Sequence, residues 1–117
     1  MSLRILIADS DTLRREYVLS ALVPLGATIV GPTPTSSESC DLLESISIAD
    51  VVIMSDRLDD GPADQLLSAV RRLGIPHLVL VGSGGPAVHE LATSSVLQKP
   101  FAAFQVADWV ISLERQK

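Results

Sequence analysis

The sequence predicts a doubly wound α/β sheet of five parallel strands, and three observations carry that prediction. Short, continuously apolar runs rich in Val, Ile and Leu alternate with longer helical patterns five times within 117 residues. Gly, Pro, Ser and Asp punctuate the junctions between them. Aromatic residues make up only 3% of the chain, so the core has to be built from aliphatic side chains, as in a parallel sheet covered by helices. There is no repeat period or low-complexity tract, and the length suits one domain over residues 1–117.

Each element follows in order. "LRILIA" (residues 3–8) is a buried strand, and "DSDT" then supplies capping residues for an amphipathic helix that Pro24 and Gly26 close near residue 25. "ATIVG" is the second strand, and "PTPTSS" is a loop whose last serines cap a helix to about residue 46. "DVVIMS" (residues 50–55) is the third strand, and Gly61-Pro62 opens a helix to residue 73. Gly74-Ile75-Pro76 turns into "HLVLVG", the fourth strand. "SGGPAVHELATS" is a flexible link with at most a short fourth helix. "VLQ" is the fifth strand, and "KPF" leads into a last helix over residues 102–114. Five such units match the flavodoxin-like strand order 2-1-3-4-5, whose ligand chemistry belongs at the carboxyl ends of the strands. Asp9, Ser10 and Asp11 follow strand one, Ser55 and Asp56 follow strand three, Val81 ends strand four and Lys99 follows strand five. All are expected at one crevice.

Composition excludes several functions. The net charge of -5 and the scattered basic residues argue against a nucleic-acid partner. Arg14-Arg15 and Arg71-Arg72 read most simply as solvated helix faces. Cys40 is the single cysteine, which rules out an internal disulfide and favours a reducing compartment. No apolar run reaches the roughly 20 residues of a membrane span, and no signal-peptide pattern opens the chain. A cytoplasmic protein with no membrane association is expected. The first loop has no glycine, so it offers neither a dinucleotide-binding turn nor a P-loop. "GSGGP" reads as a flexible loop, with Pro86 lacking a backbone donor. His77 belongs at the sheet end opposite Ser55 and His89 in the link, which disfavours a Ser-His-Asp arrangement.

Together, "RILIADSD", "DVVIMSDRLDDG" and "VLQKPF" resemble the acidic loop, acceptor strand and lysine-proline strand end of bacterial response-regulator receiver (CheY-like) domains. "IPHLVLVGSG" resembles the P-F-x-F-A-T-G-Y segment of the FATGUY subgroup, in which the fourth helix is short. The resemblance spans residues 3–115. It implies two-component or phosphorelay signalling rather than an enzyme, with a histidine kinase, an output domain or another regulator as partner. In that family a carboxylate at the position of Ser55 accepts the phosphoryl group. Asp9 and an acidic residue at the position of Ser10 hold Mg²⁺, a Thr or Ser at the position of Val81 relays the switch, and Lys99 pairs with the phosphate. The Lys99-Pro100 bond resembles the family's cis peptide.

This chain keeps Asp9 and Lys99 and departs at Ser10, Ser55 and Val81. Phosphoryl transfer relies on electrostatic stabilisation, so losing metal ligands matters as much as losing the nucleophile. The expectation is a pseudo-receiver with no required cofactor, in which any Mg²⁺ binding is weakened and rests on Asp9. Lys99 is then expected to pair with Asp9. Two alternatives stand beside this reading: a phosphorylatable regulator that uses Asp56, and a metal or small-ligand sensor that reuses the crevice. Strand alternation turns Asp56 away from the acceptor direction, and Asp11 reads as a helix cap. If the chemistry is lost, function lies in a surface. The last helix carries two apolar stripes, Phe104, Ala107 and Ile111 on one side and Val106, Trp109, Val110 and Leu113 on the other. The second stripe, with Trp109 at its centre, is the candidate interface for a homodimer or partner.

Overall fold

The computed structural model describes residues 3–46, 49–82, 88, 94–98 and 100–115. In chain order it contains β1 (Arg4–Ala8), α1 (Thr12–Leu22), β2 (Thr28–Thr33), α2 (Ser36–Ile46), β3 (Val51–Ser55), β4 (Arg57–Leu58), β5 (Gly61–Pro62), α3 (Asp64–Arg72), β6 (His77–Val81), β7 (Ser95–Gln98) and α4 (Ala103–Arg115). The main sheet is parallel throughout, in the order β2-β1-β3-β6-β7. With the small β4-β5 hairpin set aside, this is the expected 2-1-3-4-5 winding. Most of the link between β6 and β7, and with it the expected short fourth helix, lies outside the described residues.

Alternation along the central strands divides the interior into two layers. Ile5, Ile7, Val51, Ile53, Leu78 and Leu80 pack with Val18 and Leu22 of α1 and with Val106 and Val110 of α4. Their neighbours in sequence, Leu6, Ala8, Val52, Met54, Val79 and Val81, pack on the other face with Leu43 of α2 and Leu66, Leu67 and Val70 of α3. One residue of parity therefore decides which pair of helices a strand residue meets. Cys40 is buried on this second side, and burial pushes its thiol pKa up, with the nearby Glu44 and Asp41 carboxylates adding to the effect.

Two boundaries differ from the sequence reading for local reasons. β2 does not stop at Gly31 but continues through Pro32 to Thr33. Leu6 pairs with Val30 and Ala8 with Thr33, so Gly31 and Pro32 together oppose Ile7 in a bulge. An edge strand tolerates the missing proline donor. Gly31 is required there: its φ is +89°, and a Cβ would lie 3.0 Å from the Thr33 nitrogen and 3.2 Å from the Ile7 oxygen. Gly61-Pro62 does not open the third helix. It turns back to pair antiparallel with Arg57–Leu58, anchored by the buried Leu58, and the helix begins at Asp64.

The last helix requires a further correction. Val106 and Val110 are fully buried, and Trp109 and Leu113 pack against the same core cluster. Positions 106, 110 and 113 share one helical face, and that face lies on the sheet. The stripe expected as a homodimer or partner interface is thus the core stripe. It is Phe104, on the other stripe, that is 66% exposed.

Candidate functional site

The crevice is built where the α1 side of the sheet reaches its carboxyl edge. Asp9 continues the parity of Ile5 and Ile7, and Ser55 that of Val51 and Ile53, so both side chains cap the layer that α1 and α4 cover. The Asp9 nitrogen donates to the Thr33 carbonyl at 2.9 Å, which fixes the loop start to the edge strand. Both residues are almost fully buried.

A buried carboxylate requires compensation, and Asp9 receives it from α1. The Arg14 Nε donates to Asp9 Oδ2, and Arg14 Nη2 donates to Oδ1 at 2.6 Å. The Asp11 nitrogen adds a third donor, 3.0 Å from Oδ1. Arg14 Nη2 also lies 3.3 Å from the Ser55 hydroxyl, so one guanidinium joins the ends of β1 and β3. Its backbone is held too, because Asp11 caps α1 by accepting from the Arg14 nitrogen at 3.1 Å. Burial works against the Arg14 charge. The Asp9 hydrogen bonds and the charges of Asp9, Asp11 and Asp56 outweigh it and hold the pKa above its ordinary value. The Arg14 backbone bond is the main cause holding the Asp11 carboxyl below its ordinary value, opposed by burial and aided by the Arg14 charge.

Arg14 is the residue that sequence reasoning missed. It was assigned to a solvated helix face, yet its side chain is only 14% exposed. A signal was present: α1 carries two arginines and no acidic residue in its first turn, where the helix dipole disfavours cations. The expected Lys99 partner of Asp9, and the Lys99-Pro100 peptide, fall outside the described residues; Pro100 itself is exposed.

The remaining candidates are distributed around this knot. Ser10, directly after Asp9, is partly buried. Asp56 is buried beyond Ser55; its nitrogen donates to the Leu80 carbonyl at 3.1 Å and its carbonyl accepts from Ala63 at 2.9 Å. Val81 is buried in the α2-α3 layer with Ala8 and Met54, one residue past Leu80, the β6 partner of Ser55. His77 pairs with Val52 at the other end of the sheet, where Nε2 lies 2.9 Å from the Ser94 hydroxyl. It stands beside an open cleft of about 260 Å³ that Trp109 and Leu113 also line.

The donor set does not fit Mg²⁺. A hard dication prefers several carboxylate and water oxygens in octahedral geometry. Here Asp9 already accepts three N–H bonds, the oxygens next to it in sequence and across the sheet are the neutral hydroxyls of Ser10 and Ser55, and the charges of the nearby Asp11 and Asp56 already act on Arg14. Among the described residues no group of three His, Cys, Asp or Glu side chains could hold a metal ion.

Comparison with solved structures places this fold. The chain has the fold of CheY-like response regulator receiver domains. SdrG from Sphingomonas melonis Fr1 aligns at 25% identity and a TM-score of 0.80, covering 96% of each chain. A response regulator receiver protein from Sinorhizobium medicae WSM419 aligns at 22% identity and a TM-score of 0.79, over 96% of this chain and 94% of that one. A CheY-like receiver domain protein from Methanospirillum hungatei JF-1 aligns at 18% identity and a TM-score of 0.77, over 97% of this chain and 98% of that one. No protein-family model matches the chain, and no curated protein matches it.

Proposed function

We propose that the chain is a pseudo-receiver: a receiver-type module of two-component or phosphorelay signalling that works by protein-protein contact without aspartyl phosphorylation. The observation that supports this reading most is Ser55 at the end of β3, with its hydroxyl 3.3 Å from Arg14. A serine at that position cannot form an acyl phosphate and supplies no charge to a metal. Ser10 and the buried, hydroxyl-free Val81 weaken the same reaction at two further points. In this reading residues 1–117 form one unit, the module is not an enzyme, and its partner is a kinase, an output module or another regulator. The FATGUY-type assignment rests on the sequence resemblance alone.

Acetyl phosphate with Mg²⁺, followed by intact-protein mass spectrometry, tests the proposal. An unchanged mass is expected. A gain of one phosphoryl group would overturn it, and mapping that group to Asp56 would establish the alternative acceptor.

A further inference from the structure

We propose that Arg14 is the crevice's resident cation: its guanidinium neutralises Asp9 in the place of a divalent ion and keeps such ions out. This deepens the pseudo-receiver reading and rests on it, because it names what the vacated site has become. Three features support it. Both Asp9 oxygens are engaged by the planar guanidinium fork, and Oδ1 accepts a further backbone N–H, so the carboxylate has little remaining capacity for a metal. The pair is nearly dry, with side-chain exposures of 14% and 2%, so the Asp9 charge is neutralised at close range with little screening and has little attraction left for a second cation. Arginine keeps its proton across the physiological pH range, so the cation itself does not switch off.

The arrangement is also held from two sides. Residues 9 to 14 close on themselves: Asp11 donates its N–H to Asp9 and caps the backbone of Arg14, whose side chain returns to Asp9. The loop and the first turn of α1 thus hold the Arg14 backbone within reach of Asp9. A carboxylate restored at position 55 would meet the same guanidinium, 3.3 Å from the present hydroxyl, and would enlarge the ion pair rather than create a metal site. Loss of the acceptor is in this sense compounded by Arg14, and reversing Ser55 alone does not reverse the site.

Mn²⁺ binding followed by electron paramagnetic resonance, with no phosphoryl donor present, tests this apart from phosphorylation. Wild type, Ser55→Asp, Arg14→Ala with Ser55→Asp, and Arg14→Lys with Ser55→Asp are compared. We expect no saturable binding by wild type or Ser55→Asp. The Arg14→Ala double variant should bind roughly tenfold or more tightly than Ser55→Asp, and the Lys variant should stay near Ser55→Asp. Saturable binding by wild type would overturn the proposal, as would Ser55→Asp binding as tightly as the Arg14→Ala double variant. Arg14→Gln with Ser55→Asp, which removes the charge but keeps hydrogen-bonding capacity, should likewise gain binding over Ser55→Asp and keeps the test decisive if the Ala variant fails to fold. Phosphorylation of wild type would instead sink the pseudo-receiver reading, which this measurement does not touch.

Discussion

Each side of the sheet carries an arginine-carboxylate pair, and the two differ in nearly everything but chemistry. On the α1-α4 side Arg14 meets Asp9 with both residues almost out of water. On the α2-α3 side Arg72 meets Glu44 at 2.9 Å with side chains 60% and 58% exposed. The first pair sits directly above the aliphatic layer of Ile7 and Ile53 and joins two strand ends to a helix. The second bridges two helices over solvent. An exposed pair gains little beyond what water supplies. A buried pair matters because either partner alone would be a charge without compensation. The difference is one of burial: the first pair is continuous with the structural core, and the second lies on the surface.

Removing each arginine is the strongest way to break the comparison. Arg14→Ala leaves Asp9 buried without its counter-ion and should cost about 3 kcal/mol of stability. Arg72→Ala should cost less than about 0.5 kcal/mol. Urea unfolding of the two variants at neutral pH measures both. Equal costs would mean that Asp9 is rescued by water or by another cation, and that the crevice is not the dry knot described above.

The α4 side offers the second test. Val110→Ala removes two buried methyl groups from the layer beneath Arg14 and should cost about 2 kcal/mol. Phe104→Ala, on the exposed stripe, should cost less than about 0.5 kcal/mol. If the Val106-Val110 stripe were instead an intermolecular surface, Val110→Ala would leave the unfolding midpoint nearly unchanged and weaken self-association in sedimentation velocity.

These contrasts also mark what the sequence could reveal. Apolar runs and punctuation disclosed every strand of the main sheet, since parity and turn chemistry are local signals. Asp11 was legible as a cap because its acceptor role is settled three residues away. The convergence of Asp9 and Ser55 followed from the winding order, which is itself a pattern of alternating elements. Arg14 was legible only in part: its first-turn place was a signal, but whether such an arginine faces solvent or a carboxylate depends on how α1 settles on the sheet. The α4 stripes failed for a similar reason, because two apolar stripes look alike until the sheet beneath one of them is in place. Pro32 misled because a proline reads as a strand end, whereas on an edge strand with a bulge it is tolerated.

Asp60 gives the smallest and most discriminating test, because it is the α2-α3 side's counterpart to Asp11. Both acidic residues cap a helix, Asp11 its own and Asp60 a helix that precedes it in the chain. Thr35 accepts from the Glu38 nitrogen at 3.0 Å, while Asp60 takes the Ser36 and Ser37 nitrogens at 2.9 and 3.2 Å. The Ser36 bond is the main cause holding the Asp60 carboxyl below its ordinary value of 3.8; burial opposes it and the Ser37 bond reinforces it. A depressed folded-state pKa means that this stabilisation is complete above the unfolded value and disappears as pH falls through the folded one. As the loss of a helix cap, Asp60→Ala should cost about 1 kcal/mol at neutral pH, and the cost should shrink toward zero as pH falls below 3.8 and through the lowered folded-state value. Urea midpoints of wild type and variant across that range give the answer. A pH-independent cost would assign the effect to the turn that Asp60 shares with Gly61 rather than to its charge on the end of α2.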